Sequence, residues 1–315
     1  CALPLDARPT CACIAELHDS LYVVVGLAAG TSDGKIAAYL WSDGKLHAAW
    51  SKHVGDHVCA LTTVSGYVAA AIGHEVHTYA MEPHALTFRR PWDCAFVSSC
   101  LASQGSTLVV GDAMHSLTVL TVAEDGRLSE SARDLHPYWT SAVCVLDEEQ
   151  QRYLGTDVAM NLFVAERAKG TEPESPWSHV MRHAAACHVG DLVNAIHTLP
   201  GGRVMYATAS GALGTLVHVP EPVARVLLCV QDAMIEVVPA PGDIPWESWR
   251  TSRTDTRTEP PHHILDADVL RFFVSDPSVR SPCLDKAGSL AQARDIPMAE
   301  MAEERILQML HALLS

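Results

Sequence analysis

The sequence predicts a mostly β protein, namely a β-propeller followed by a small C-terminal helical domain. Three observations support this: a strand–turn–strand unit that recurs, a near-regular spacing of these units, and a change to helical periodicity after residue 219. A period of about 40–45 residues is typical of propeller blades, which bury their faces by stacking around an axis. Five units are clear, so we predict a propeller of the seven-bladed type whose ring is incomplete in this chain. An irregular β-sandwich is the structural alternative.

Each unit consists of an apolar strand, a turn of Gly, Asp, Asn or Ser, and a second apolar strand, which is a hairpin pattern. The predicted strand pairs are residues 21–26 with 35–41, 67–73 with 76–79, 107–112 with 117–122, 153–157 with 161–165, and 204–209 with 213–217. A polar insertion at residues 170–178 lengthens one unit. The tetrapeptide His-Val-Gly-Asp at residues 53–56 returns at 188–191, 135 residues later, or three units of 45. This repetition favours blades over a sandwich.

The last third of the chain predicts helices at residues 223–238, 266–274 and 297–314. In the first of these, Val226, Leu227, Val230 and Met234 lie at helical spacing. We therefore divide the chain into propeller blades over residues 1–220 and a C-terminal segment with helices over residues 221–315.

Composition limits the classes of partner. The net charge of −15 disfavours autonomous binding to nucleic acid, because an acidic surface repels phosphate. The ten cysteines form no Cys-x-x-Cys pair, which favours free thiols in a reducing compartment over a zinc site. No apolar run of about 18 residues occurs, so we expect no membrane span. The chain begins with Cys, which suggests a fragment of a longer protein.

No catalytic motif is recognisable. The segment His74-Glu75-Val76-His77 is similar to a zinc-protease motif but lacks one spacer residue and lies at a predicted strand end. No nucleophile elbow, Walker loop or dinucleotide fingerprint occurs. The 17 histidines indicate a compositional bias rather than a cluster. We therefore expect a protein that is not an enzyme, with no cofactor and no metal.

The segment at residues 131–143 is the best candidate for a binding site. It places Arg133, Pro137 and Trp139 in a polar loop before an apolar strand. Trp, Tyr and Arg are the residues most often found as interface hot spots. A tryptophan buried in a blade core is the alternative interpretation of Trp139.

Several segments in the same order resemble the family of damage-specific DNA-binding protein 1, the large subunit of the UV-damage binding complex and adaptor of cullin 4 ubiquitin ligases. The similar segments are residues 41–46, 110–114, 131–143, 154–164, 188–194, 249–260 and 264–268. Together they extend from about Leu21 to Phe273. Scaffold subunits of splicing and of pre-mRNA cleavage and polyadenylation belong to the same superfamily and are the alternative.

The resemblance implies a role in DNA damage recognition and repair. Such proteins have three propellers and a C-terminal helical domain, and this chain resembles the third propeller plus that domain. The implied partners are WD-repeat substrate receptors, a cullin bound through a propeller absent from this chain, and DNA only indirectly through a partner. The implied location is the nucleus, with the cytoplasm as a second location.

The resemblance also suggests which residues bind partners. Arg133 and Trp139 are expected at the cleft that holds receptors. His115 lies where relatives carry an Arg, and Val97 and Ser99 lie on a strand that lines the cleft in relatives.

Overall fold

Five β-sheets follow one another along the chain in a computed structural model, which describes residues 7–17, 19–29, 33–82, 85–167 and 179–314. Strands within each sheet are neighbours in chain order, as in propeller blades. The prediction of a mostly β propeller fold followed by helices is confirmed, and the described residues form five blades, one for each repeat unit. The predicted polar insertion at residues 170–178 lies outside the described residues.

The strand bounds of the five blades are as follows. Blade 1 contains β1 (Ala7–Leu17), β2 (Ser20–Ala29), β3 (Asp33–Ser42) and β4 (Lys45–Val54). Blade 2 contains β5 (Val58–Val64), β6 (Tyr67–Ile72), β7 (Glu75–Glu82) and β8 (Ala85–Asp93). Blade 3 contains β9 (Ser98–Gln104), β10 (Thr107–Asp112), β11 (Leu117–Val122) and β12 (Leu128–Arg133). Blade 4 contains β13 (Thr140–Asp147), β14 (Arg152–Asp157), β15 (Asn161–Arg167) and β16 (Met181–His188), and blade 5 contains β17 (Val193–Thr198), β18 (Val204–Thr208) and β19 (Leu213–Leu216).

The five predicted strand pairs are the second and third strands of the blades. In blades 2 to 4 these middle strands are buried on both faces, so their sequences are nearly continuous apolar runs, as in β10 and β11. The fourth strands β4 and β8 are largely exposed, and the first strands are rich in Ser, Thr and Cys, as in β9. The apolar pattern therefore predicted the second and third strands of each blade but not the other strands.

The first strands of consecutive blades pack against one another, which joins the blades in chain order. Hydrogen bonds cross these junctions: Thr62 Oγ1 and Ser103 Oγ are 2.8 Å apart between β5 and β9. The Ser99 hydroxyl on β9 donates to the Thr140 carbonyl on β13 at 2.9 Å. Small hydroxyl side chains suit this position because they bond across a narrow gap between backbones.

The helical segment contains α1 (Glu221–Val237), α2 (Trp246–Arg250), a short hairpin of β20 (Ser252–Arg253) and β21 (Thr258–Glu259), α3 (Ala267–Ser275), α4 (Arg280–Ala293) and α5 (Glu303–Leu314). Its core contains Leu227, Met234, Phe273 and Ile306, all fully buried. No described helix is long and apolar enough to cross a membrane.

Two of the three predicted helices agree with α1 and α3, and the third was only partly right. A 3-10 turn occupies Met298–Met301, and the extended backbone of Ala302 separates it from α5. Helix α4 was missed because its buried face consists of Cys283, Ala287, Gly288 and Ala291, which form no bulky apolar stripe.

By their contacts, the residues form two compact units. The first contains the blades up to residue 184 together with residues 191–199 and 204–214, and the second contains residues 185–190, 200–203 and 215–315. These units do not test the predicted domains. The division into residues 1–220 and 221–315 therefore stays a prediction.

Gly111 on β10 provides a test of the blade junction. A Cβ atom added there would collide with Cys100 Sγ and would lie 2.9 Å from Thr140 Cγ2 on the next blade. We expect Gly111→Ala to lower the free energy of unfolding by about 1–3 kcal/mol, because overpacked sites must shift backbone or side chains. Urea unfolding measures the change.

Gly55→Ala is the matched control, since no heavy atom lies within 4 Å of its added Cβ. Equal unfolding free energies for the two variants would contradict the close approach of blades 3 and 4.

Candidate partner-binding site

Four loops of blades 2 to 4 lie at the same end of the strands. Because neighbouring strands are antiparallel, the β10–β11 and β14–β15 turns share an end with the β8–β9 and β12–β13 connections. We call residues 94–97, 113–116, 134–139 and 158–160 the loop face. Its exposed large apolar side chains are Phe96, Met114, Leu135, Trp139, Val158 and Met160.

A single buried carboxylate connects the first two loops. Asp112, the last residue of β10, accepts hydrogen bonds from the backbone N–H groups of Phe96 at 2.8 Å, Met114 at 2.8 Å and His115 at 3.0 Å. The Ala113 N–H adds a 2.8 Å bond to the Val97 carbonyl. These bonds satisfy backbone donors in loops that cannot pair as strands.

Backbone hydrogen bonds extend the connection to the other two loops. The Ser116 N–H donates to the Tyr138 carbonyl at 2.8 Å, and the Val158 N–H donates to the Trp139 carbonyl at 2.9 Å. Asp157 ends β14 as Asp112 ends β10, and its carboxylate accepts from the backbone N–H and the side-chain amide of Asn161 at 2.8 and 2.9 Å. The four loops are therefore one hydrogen-bonded surface.

Trp139 is exposed, with 51% of its surface accessible, whereas its neighbours Tyr138 and Thr140 are buried. The Tyr138 ring stacks on Phe163 with ring centroids 4.7 Å apart. Tyr138 thus anchors the loop internally while the next side chain faces outward. This excludes the alternative of a tryptophan buried in a blade core.

Arg133 is a paired cation in the structure. Its Nη2 lies 2.6 Å from Glu130 Oε2, and its backbone N–H donates to the His179 carbonyl at 2.7 Å. The Arg133 Nε atom is buried and has no hydrogen-bond partner among the described residues. A partner carboxylate at this position would have to compete with Glu130.

The other predicted residues differ in accessibility. Pro137 and His115 are exposed and Val97 is half-buried. The Ser99 hydroxyl is engaged by two backbone carbonyls, those of Thr140 at 2.9 Å and Gly111 at 3.0 Å. Ser99 therefore suits a junction between blades 3 and 4 better than contact with a partner.

Of the six exposed apolar residues of the loop face, only Trp139 was predicted from the sequence. A signal was available in the sequence, because Met114 and Met160 are apolar residues in tight turns, where polar residues are usual.

A second buried carboxylate lies beneath the β12–β13 loop. Asp134 accepts hydrogen bonds from His136 Nδ1 at 2.6 Å, His183 Nε2 at 2.9 Å and the Ser116 hydroxyl at 2.6 Å. Burial by itself raises the pKa of Asp134, but the hydrogen bonds from His136 and His183 outweigh it and hold that pKa well below its usual range. The carboxylate is therefore ionised at neutral pH.

The described cysteines are free thiols. Burial raises the pKa of Cys100 to about 12, and desolvation likewise raises the pKa of Cys94 to about 12. Thiols of this kind stay protonated and are poor nucleophiles.

The blades and their following helices define the class of protein, a β-propeller with a helical segment. Residues 7–275 match the family described as CPSF A subunit region. The chain therefore belongs to this family, whose members are propeller scaffolds.

Individual relatives confirm the resemblance to the family of damage-specific DNA-binding protein 1. The chain is 27% identical over 260 residues to DNA damage-binding protein 1a of Arabidopsis thaliana, covering 76% of this chain and 24% of the relative. It is 27% identical over 258 residues to DNA damage-binding protein 1 of Drosophila melanogaster, covering 76% and 22%. For DNA damage-binding protein 1 of Oryza sativa subsp. japonica the identity is 24% over 290 residues, covering 86% and 26%. The chain thus spans about a quarter of the length of these relatives.

Asp112 provides a test of how the loop face is held. We expect Asp112→Ala to lower the free energy of unfolding by about 2 kcal/mol or more, because three backbone N–H groups lose their acceptor. Urea unfolding of the full chain measures this. Asp125→Ala is the control, since its carboxylate is exposed and its hydrogen bonds to Arg127 stay within one turn. Equal stability of the two variants would show that Asp112 does not hold the loops.

Proposed function

We propose that this protein is a non-enzymatic scaffold that binds partner proteins through the loop face. The observation that supports this most directly is the set of exposed apolar side chains around Trp139 on hydrogen-bonded loops. Exposed apolar side chains grouped on one set of loops mark interaction sites, and a rigid aromatic residue is a favourable anchor. Rigid loops also limit the entropy lost on binding.

The proposed partners are WD-repeat substrate receptors of a cullin 4 ubiquitin ligase, in a pathway of DNA damage recognition and repair in the nucleus. The similarity to DNA damage-binding protein 1 of other organisms supports the pathway of DNA damage recognition. In this proposal Arg133, Pro137, His115 and Val97 surround the Trp139 anchor. The cullin is bound by a propeller outside this chain.

DNA is contacted indirectly in this proposal. The net charge of −15 opposes direct binding to phosphate, and damage recognition is therefore assigned to a partner subunit.

A scaffold in pre-mRNA cleavage and polyadenylation is the second candidate. The description of the matching family, CPSF A subunit region, favours it. The same loop face would then bind RNA-processing subunits.

The test is affinity purification with mass spectrometry of the full protein that carries this chain, comparing wild type with Trp139→Ala. We expect cullin and WD-repeat proteins with the wild type, and at least a tenfold loss of the WD-repeat proteins in the variant. Loss of a hot-spot tryptophan costs about 2 kcal/mol or more, which is about thirtyfold in affinity and exceeds this tenfold threshold.

Trp41→Ala is the matched control. Trp41 is similarly exposed, at 47%, but lies beside the β3–β4 turn at the opposite end of the strands. Unchanged capture by a folded Trp139→Ala variant would contradict the loop face as the binding site. Capture of polyadenylation or splicing subunits would favour the second candidate.

A further inference from the structure

Three side chains with metal-binding atoms converge directly beneath the loop face. Asp134 and His136 lie in the β12–β13 loop, and His183 lies on β16, almost 50 residues further along the chain. One carboxylate oxygen and two imidazole nitrogens lie within 4.8 Å of one another. We predicted no metal site from the sequence, because these residues form no local motif.

The chemistry of these groups fits a zinc ion. Two imidazole nitrogens and one carboxylate oxygen are a ligand set that Zn²⁺ accepts, with a fourth position left to water. Asp134 is fully buried, and its two carboxylate oxygens face the two imidazoles, so it places an oxygen ligand between them. The His136 side chain is 28% exposed, which leaves one side of the group open to solvent.

The His183 imidazole is buried, and only one of its two nitrogens has a hydrogen-bond partner among the described residues. His183 is 6% exposed in its side chain, and its Nδ1 atom has no hydrogen-bond partner among the described residues. Its ring is held between aromatic neighbours, with centroids 4.0 Å from His136 and 4.9 Å from Phe163. These ring contacts hold His183 Nε2 towards Asp134, where a metal ion would bind, while Nδ1 lies on the other side of the ring.

We propose that Asp134, His136 and His183 bind one Zn²⁺ ion. Ligand atoms at about 2.0–2.2 Å from a tetrahedral zinc lie roughly 3.3 Å apart. The present separations of 2.6 and 2.9 Å from the Asp134 oxygens must therefore widen slightly. His136 lies in a loop and can make this adjustment, whereas His183 is fixed by its strand.

The ion would connect the β12–β13 loop to β16. Pro137 and Trp139 follow His136 in the same loop, so zinc would restrain the part of the loop face that carries the tryptophan. The zinc site itself does not depend on the proposed function, and its test uses no partner protein.

The test is zinc loading of the full chain, followed by dialysis, elemental analysis and titration of the metal-free protein with Zn²⁺. We expect one zinc per chain in the wild type. His136→Gln and His183→Gln should each weaken binding by about tenfold or more, because even changes to outer-shell partners of a metal cost about 10–100-fold. Co²⁺ should give a visible absorption band that both variants lose.

His74→Gln is the control. His74, Glu75 and Asp93 form a second group within 4.8 Å in blade 2, with His74 in the β6–β7 turn, but His74 and Asp93 are exposed. Zinc binding should survive this change. His136→Gln keeps the test valid if His183→Gln fails to fold, because His136 lies in a partly exposed loop. A wild type without stoichiometric zinc, or zinc lost only in His74→Gln, would overturn the proposal.

Discussion

Buried carboxylates at the ends of strands are the interaction on which the binding surface depends. Asp112 and Asp157 end the second strands of blades 3 and 4, and Asp134 follows the last strand of blade 3. Each accepts hydrogen bonds from the adjoining loop at 2.6–3.2 Å. A buried carboxylate is costly unless it is fully hydrogen-bonded, so these groups hold the loops in one conformation.

Rigid loops explain how apolar side chains can remain exposed. The backbone of the loop face is satisfied by the carboxylates and by bonds between loops, and its exposed apolar side chains take no part in these bonds. Trp139 is exposed because Tyr138, its neighbour, fills the interior and stacks on Phe163. The same arrangement brings His136 and His183 to Asp134, so the proposed partner surface and the proposed zinc site share one loop.

The sequence predicted those features that depend on continuous patterns. Strands such as β10 and β14 are apolar runs, and α1 has a clear apolar face, so both were found. Helix α4 was not found, because small residues form its buried face. The pairing of His183 with Asp134 could not be predicted, since it depends on how β16 lies beside β12 across two blades. In the loop face the sequence predicted Val97, His115, Pro137 and Trp139. It did not predict Met114 and Met160, because an apolar residue in a tight turn is a weaker signal than a continuous apolar run.

Hydrogen–deuterium exchange of the full protein with a captured receptor tests the central claim most directly, because it reports on the backbone without altering any side chain. The account predicts slower exchange at residues 113–116, 134–139 and 158–160 in the complex. The turns at the opposite end of the strands, residues 43–44, 65–66 and 105–106, should exchange as in the free protein. Protection confined to those opposite turns, with the loop face unchanged, would contradict the account.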